Sequence, residues 1–217
     1  QLISPLAEGS DQLVAEVAVE IGIPLVVPLP MSHSEYEKEF DSLAGVQKFN
    51  ALLKLAEVIH MPLMDDDSSA SRDPAESAKD RQYMQLGVFI SNHCQLLLAL
   101  WDGKPAAEMG GTAAVVHYHL TALMPGNSVP EESPNLLADN ENDLAYHIVA
   151  SRDREDGAPA PGLKAHDEFW LSAHFERREE RRMPAEFRTC RNSMQISLNT
   201  IARSASKAAA CWTTHLQ

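Results

Sequence analysis

Cysteine is scarce in this chain. There are three in 217 residues, Cys94, Cys190 and Cys211, far apart and odd in number. No Cys-x-x-Cys pair occurs, so neither a disulfide framework nor a cysteine-paired zinc site is expected, and a reducing, cytoplasmic setting is. Long apolar runs are missing too. Nothing approaches the length of a membrane span, and no signal peptide is visible. Positive charge is lacking over most of the chain. Residues 1–150 hold 7 Lys and Arg against 22 Asp and Glu, whereas residues 151–217 hold 11 against 9. Phosphate backbones need a positive surface, so generic nucleic-acid binding is excluded for the first part. A small nucleotide is not excluded, because backbone amides hold a phosphate without net positive charge.

What is present is an ordinary globular composition, 44% apolar and 23% charged, enough for one α/β domain with a full core and a tail. The chain begins at Gln1 directly in a strand-like segment, Leu2 to Leu6, so a further piece is expected upstream. Leu13, Val14, Val17, Ala18 and Ile21 lie at helical spacing, with Ser10 or Asp11 as the cap and Gly22 as the stop. Residues 24–30 read as a buried strand closed by proline. A capping box at Ser34 and Glu37 opens a short acidic helix. A helix over 46–55, a strand over 57–61 and a long helix over 75–94 follow. Tyr83, Leu86, Gly87, Ile90 and Cys94 are expected inward on that long helix.

Residues 95–100 read as a strand, 112–124 as a helix, 125–143 as a loop and 144–150 as a fifth strand. Residues 151–165 read as a linker. Residues 166–171 read as a short aromatic helix, and a last helix begins at Pro184. This alternation predicts a Rossmann-like, doubly wound, mainly parallel sheet with helices on both faces, over residues 1–165. A helical tail over 166–217 completes it.

Ligands of such sheets bind beyond the carboxyl ends of the strands. Two turns stand out there: Glu8-Gly9-Ser10-Asp11 and the stretch from Trp101-Asp102-Gly103 to Gly110-Gly111-Thr112. Glycines let backbone N–H groups approach an anion, and a helix N-terminus favours negative charge. Each turn has a plainer reading as well. Gly110 and Gly111 could merely permit the turn, Ser10 and Asp11 could merely cap, and Asp102 is either a ribose contact or a solvated turn residue. Other groups are read as structural. Asp65, Asp66 and Asp67 are adjacent and cannot all face one cation. His117 and His119 lie on different faces of their helix, so one is packed and one is on the surface. Neighbouring side chains on a helix diverge, so His93-Cys94 is no nucleophilic pair and Cys94 reads as a small core residue. The Arg177-Arg178 and Arg181-Arg182 pairs alternate with acids, as on a solvated face. The small-residue run 202–210 is a candidate helix interface.

The segments Ile3-Ser4-Pro5-Leu6-Ala7-Glu8-Gly9-Ser10-Asp11, Leu25 to Pro30, Trp101 to Pro105 and Gly110 to Ala113, with Phe169-Trp170-Leu171 and Met183-Pro184 behind them, resemble in order the SLOG-type Rossmann-like proteins. That superfamily includes the Lonely-guy phosphoribohydrolases and DNA-processing protein A. The resemblance spans residues 2–185 and implies a nucleotide or nucleotide-derived ligand at Ser4, Glu8, Gly9, Ser10, Asp11, Trp101, Asp102, Gly110, Gly111 and Thr112. It also implies a first strand and glycine turn ahead of Gln1. No cofactor and no metal is expected, and a homo-oligomer or an attached effector domain is.

The phosphoribohydrolases carry Pro-Gly-Gly-x-Gly-Thr with a glutamate in the next turn. Here Met109-Gly110-Gly111-Thr112 is followed by Ala113, Ala114, Val115 and Val116. Cleavage of an N-glycosidic bond needs a nearby carboxylate, and that turn has none. The expectation is therefore a nucleotide sensor or regulatory module. The alternative is a phosphoribohydrolase-like or deoxyribosyltransferase-like N-glycosidase drawing its carboxylate from Glu8, Asp11 or Asp102.

Overall fold

The computed structural model describes residues 1–63, 74–105, 111–122, 144–152, 156–171 and 177–178. Gly110, the Asp65–Asp67 triplet, the helix expected from Pro184 and the small-residue run 202–210 lie outside them. The fold is mixed α/β with two compact units, one taking in Gln1–Ser68 and the other Ser69–Cys190. Each unit has its own sheet.

In the first unit β1 (Leu2–Ile3), β2 (Leu25–Leu29) and β3 (Ala56–His60) form a parallel sheet in that order. The central strand β2 is buried at all five positions. An unbroken apolar strand is what a sheet covered on both faces requires. Helix α1 (Ser10–Glu20) turns Gln12, Val14, Ala15, Val17 and Ala18 inward. It stops where Gly22 takes φ 76°, a left-handed conformation that glycine adopts without strain.

The capping box expected at Ser34 and Glu37 does not form: the N-cap of α2 (His33–Tyr36) is Ser32, and its side chain makes no cap hydrogen bond. The Ser32 hydroxyl donates to Glu35 Oε2 at 2.6 Å, ahead of α2, which continues as a 3₁₀ turn to Glu39. Ser32 rather than Ser34 has the extended backbone of a cap, and Ser34 already lies inside the helix. Helix α3 (Leu43–Leu53) packs Phe49 and Leu52 inside. Tyr36 and Phe40 meet Phe49 with ring centroids 5.6 and 5.0 Å apart.

The second unit holds α4 (Pro74–His93), β4 (Leu96–Trp101), α5 (Thr112–Thr121), β5 (Leu144–Val149), β6 (Glu168–Leu171) and β7 (Arg177–Arg178). Strands β4 and β5 are parallel and in register from Leu96↔Leu144 to Trp101↔Val149. β6 pairs antiparallel with β5, and β7 antiparallel with β6. The core joins Ala99, Val116, Leu120, Ala145 and Leu171. Among the positions of α4 whose burial is described, Gln82, Leu86, Gly87 and Ser91 are buried, while Tyr83 and Ile90, and Cys94 just past the helix end, are half-buried. The inward stripe is therefore narrower than the expected one and includes two polar side chains. Gly87 is needed for contact, since a Cβ there would lie 2.7 Å from Val115 Cγ2 on α5.

Two elements are of the other type, both within the helical tail expected over 166–217. Arg177–Arg178, expected on a solvated helix face, pairs as a strand with β6, and Glu168–Leu171 pairs as one with β5. Residues 168–171 are a strand, not the short helix expected over 166–171. Four residues are too few for helical and strand periods to be told apart. Phe169, Trp170 and Leu171 are buried against β5, where aromatic side chains pack well on a pleated surface.

Candidate functional site

Ser4 to Asp11 belong to the first unit. The Ser4 amide continues the sheet by donating to Val26 O at 3.0 Å. Its buried hydroxyl accepts from the Leu6 N–H at 3.3 Å. This tightens the turn in which Leu6 takes φ 60°. Gly9 is the N-cap of α1 at φ 101° and ψ −116°, with no side-chain cap. The expected capping by Ser10 or Asp11 is thus corrected: both already lie inside the helix. Only glycine reaches Gly9's conformation without strain, so the chain turns there and the polar residues fall one place too late.

Glu8 is committed inside the unit. Its Oε2 accepts from the Asp41 N–H at 2.7 Å and the Ser42 N–H at 3.3 Å, and its Oε1 accepts from the Ser42 hydroxyl. Ser42 in turn caps α3 by accepting from the Gly45 N–H at 2.9 Å. The Ser42 hydroxyl above all, helped by the two backbone donors, holds the Glu8 carboxyl below its usual range against the opposing effect of burial. Gly45 gives it room: a Cβ there would sit 2.5 Å from the Glu8 carboxylate. Asp11, half-buried in the first turn of α1, has the opposite character. Burial raises its carboxyl to about 6, against a backbone hydrogen bond with Ala7 that works to lower it.

Trp101 to Thr112 belong to the second unit. Trp101 ends β4. Its indole N–H donates to Lys104 O at 2.9 Å, and its carbonyl accepts from the buried His147 Nε2 at 2.9 Å and from the Ala150 N–H at 3.0 Å. Asp102, next in the chain, is 1% exposed, so of its two readings, ribose contact or solvated turn residue, the second is overturned: it is a buried carboxylate. Its Oδ1 accepts from the Lys104 N–H at 3.1 Å. Its Oδ2 lies 2.9 Å from Arg152 Nε, a charge pair that lacks hydrogen-bond geometry and leaves Oδ2 without a hydrogen bond. Its carbonyl accepts from the Ala160 N–H at 2.7 Å. A charge so deeply placed needs such partners.

Gly111 is the N-cap of α5, at φ −76° and ψ 164°, with no side-chain cap. Its carbonyl accepts from the N–H groups of Ala114 and Val115 at 2.9 and 3.1 Å. Among the described residues no acceptor meets the N–H of Thr112 or Ala113, as at any uncapped helix start.

Sequence reasoning missed Arg152. It stands in a stretch read as a linker, fifty residues from its partner, and no local pattern announces the pairing. The Cys94–His119 contact was also out of reach. His119, the packed histidine of its helix, donates Nε2–H to Leu144 O at 3.2 Å and presents Nδ1 to Cys94 Sγ at 3.9 Å. Among the described residues no cluster of three His, Cys, Asp or Glu could hold a metal ion, and no helix is long and apolar enough to cross a membrane. Comparison with protein-family models, with curated proteins and with solved structures finds no match.

Proposed function

We propose that the chain binds a nucleotide or nucleotide-derived ligand at the turn between β4 and α5, as a sensor or regulatory module. One observation carries this. Gly111 has an extended backbone that any residue adopts, so the turn does not require glycine there. An uncapped helix start whose cap residue has no side chain leaves N–H groups open to an anion at close range. The contrast with Gly9, whose φ of 101° needs glycine for the chain's own sake, makes the point. The order of motifs shared with the SLOG-type Rossmann-like proteins supports the same ligand class. A doubly wound sheet, and an oligomeric partner or attached effector, belong to this proposal.

Titration calorimetry against a panel of nucleotides tests it, with Gly111→Val as the control. Valine can adopt the backbone conformation at 111, its side chain would crowd the helix start, and circular dichroism of the variant checks that it folds. A panel that yields no binding, or a variant that binds as well as the parent, ends the proposal.

A second reading has its own observation. Of the three carboxylates open to an N-glycosidase, Glu8 is bound to Ser42, the cap of α3, and Asp102 is paired with Arg152. Asp11, held at about 6, is the one suited to keep and deliver a proton near neutrality. Release of free base from a nucleoside monophosphate, abolished by Asp11→Asn, would favour the enzyme over the sensor.

A further inference from the structure

We propose that Arg152 is the side chain that recognises a phosphate group of the ligand, and that buried Asp102 is its positioning residue. This rests on the site proposed above, but its own support is separate. Strands β4 and β5 run parallel and end together at Trp101↔Val149. Asp102 follows the first directly, and Arg152 lies three residues beyond the end of the second. Both therefore stand at the carboxyl edge of this strand pair, the edge from which the chain leaves β4 for α5.

The two partners are unlike in exposure. The Asp102 side chain is 1% exposed and the Arg152 side chain 48%. The contact is a charge pair at Nε without hydrogen-bond geometry, and among the described residues no acceptor meets the guanidinium. The Arg152 backbone is fixed as well, its N–H donating to Gly157 O at 2.8 Å. Lys104, the neighbouring cation, has its ammonium on the carbonyl of Asp156.

A buried carboxylate paired with a surface arginine is a poor stabiliser, since its desolvation offsets the attraction. What the pair does well is orient. It keeps the guanidinium at a strand end by charge attraction to Asp102, with its terminal N–H donors left for a ligand, and such a fork matches two phosphate oxygens at once. The surrounding chain is strongly acidic, so this cation would act as a local, directed contact rather than as part of a positive field.

The test is calorimetry of the full chain with inorganic pyrophosphate, and with AMP and adenosine in parallel. The variants are Arg152→Lys, Asp102→Asn, and Arg152→Gln combined with Asp102→Asn, the last leaving no unpaired buried charge. Pyrophosphate and AMP should bind the double variant roughly ten- to a hundredfold more weakly than the parent, the range for losing charge-assisted hydrogen bonds. Adenosine should be unaffected. Arg152→Lys and Asp102→Asn should fall between, because each keeps the charge and loses the oriented fork. Equal pyrophosphate binding by parent and double variant overturns the proposal, and so does a parent that binds no pyrophosphate. If pyrophosphate binding is lost in the double variant while AMP and adenosine bind neither protein, the anion subsite stands and an adenine nucleotide as its ligand does not.

Discussion

Asp11 allows the sharpest quantitative test. A carboxylate in the first turn of a helix is normally favoured in its charged form by the helix dipole. Here burial outweighs that and raises the carboxyl from 3.8 to about 6. In the unfolded chain it titrates near its ordinary value. Between about pH 4 and pH 6 the folded protein therefore holds a proton that the unfolded chain has released. The stability that Asp11 contributes is full below pH 4, declines as pH rises through 6, and is absent above. A shift of roughly two units amounts to about 3 kcal/mol. Asp11→Asn keeps the shape and cannot ionise. The difference in unfolding free energy, variant minus parent, should move in the variant's favour by about 3 kcal/mol between pH 4 and pH 7.5, within the scale set by linkage. Urea unfolding of both proteins at pH 4, 5, 6 and 7.5 reads it. Glu8 titrates in the opposite sense, losing its contribution as pH falls through its lowered value, but it is common to both proteins and cancels. A difference that stays flat with pH, or that moves against the variant as pH rises, would show that Asp11 is ionised like any surface aspartate.

Other outcomes follow from single contacts. Gly87→Ala should destabilise by about 1–3 kcal/mol through overpacking on Val115, less the roughly 1 kcal/mol that alanine gains in a helix. Adding Val115→Ala should relieve the clash, so a double-mutant cycle by urea unfolding should give a clear coupling. Glu8→Ala removes the acceptor of three donors at the start of α3 and should cost about 1 kcal/mol at pH 7, as lost caps do. Thermal unfolding at pH 7 and pH 3 should show that cost shrinking in acid. Tyr146→Phe deletes the 2.6 Å hydrogen bond to Glu168 that ties β5 to β6 and should cost about 1 kcal/mol. Amide exchange of the β6 segment should rise with it. Phe49→Ala, at a side chain with no exposure, should cost about 3–5 kcal/mol by leaving a cavity between α2 and α3.

Elements with a strong period were legible in the sequence and elements without one were not. Leu25–Leu29 and Leu96–Trp101 show as apolar runs, and α1 and α4 show by their spacing, because burial on one face repeats along the chain. Residues 168–171 carry no such repeat, and β5 beside them decides their type. The candidate site divides the same way. Glycine turns at strand ends are local, so the turns at Gly9 and Gly111 could be found, but which glycine the backbone needs depends on φ, and no composition encodes that. Three carboxylates at those turns look alike in sequence. Glu8 is fixed by Ser42, thirty-four residues on, Asp102 by Arg152, fifty residues on, and Asp11 by neither, being half-buried where desolvation outweighs its one backbone hydrogen bond. A carboxylate's charge state is set by what surrounds it in space. A sequence can thus nominate the carboxylates at a sheet edge, and only the packing separates one that binds a helix cap, one that orients an arginine and one that keeps its proton.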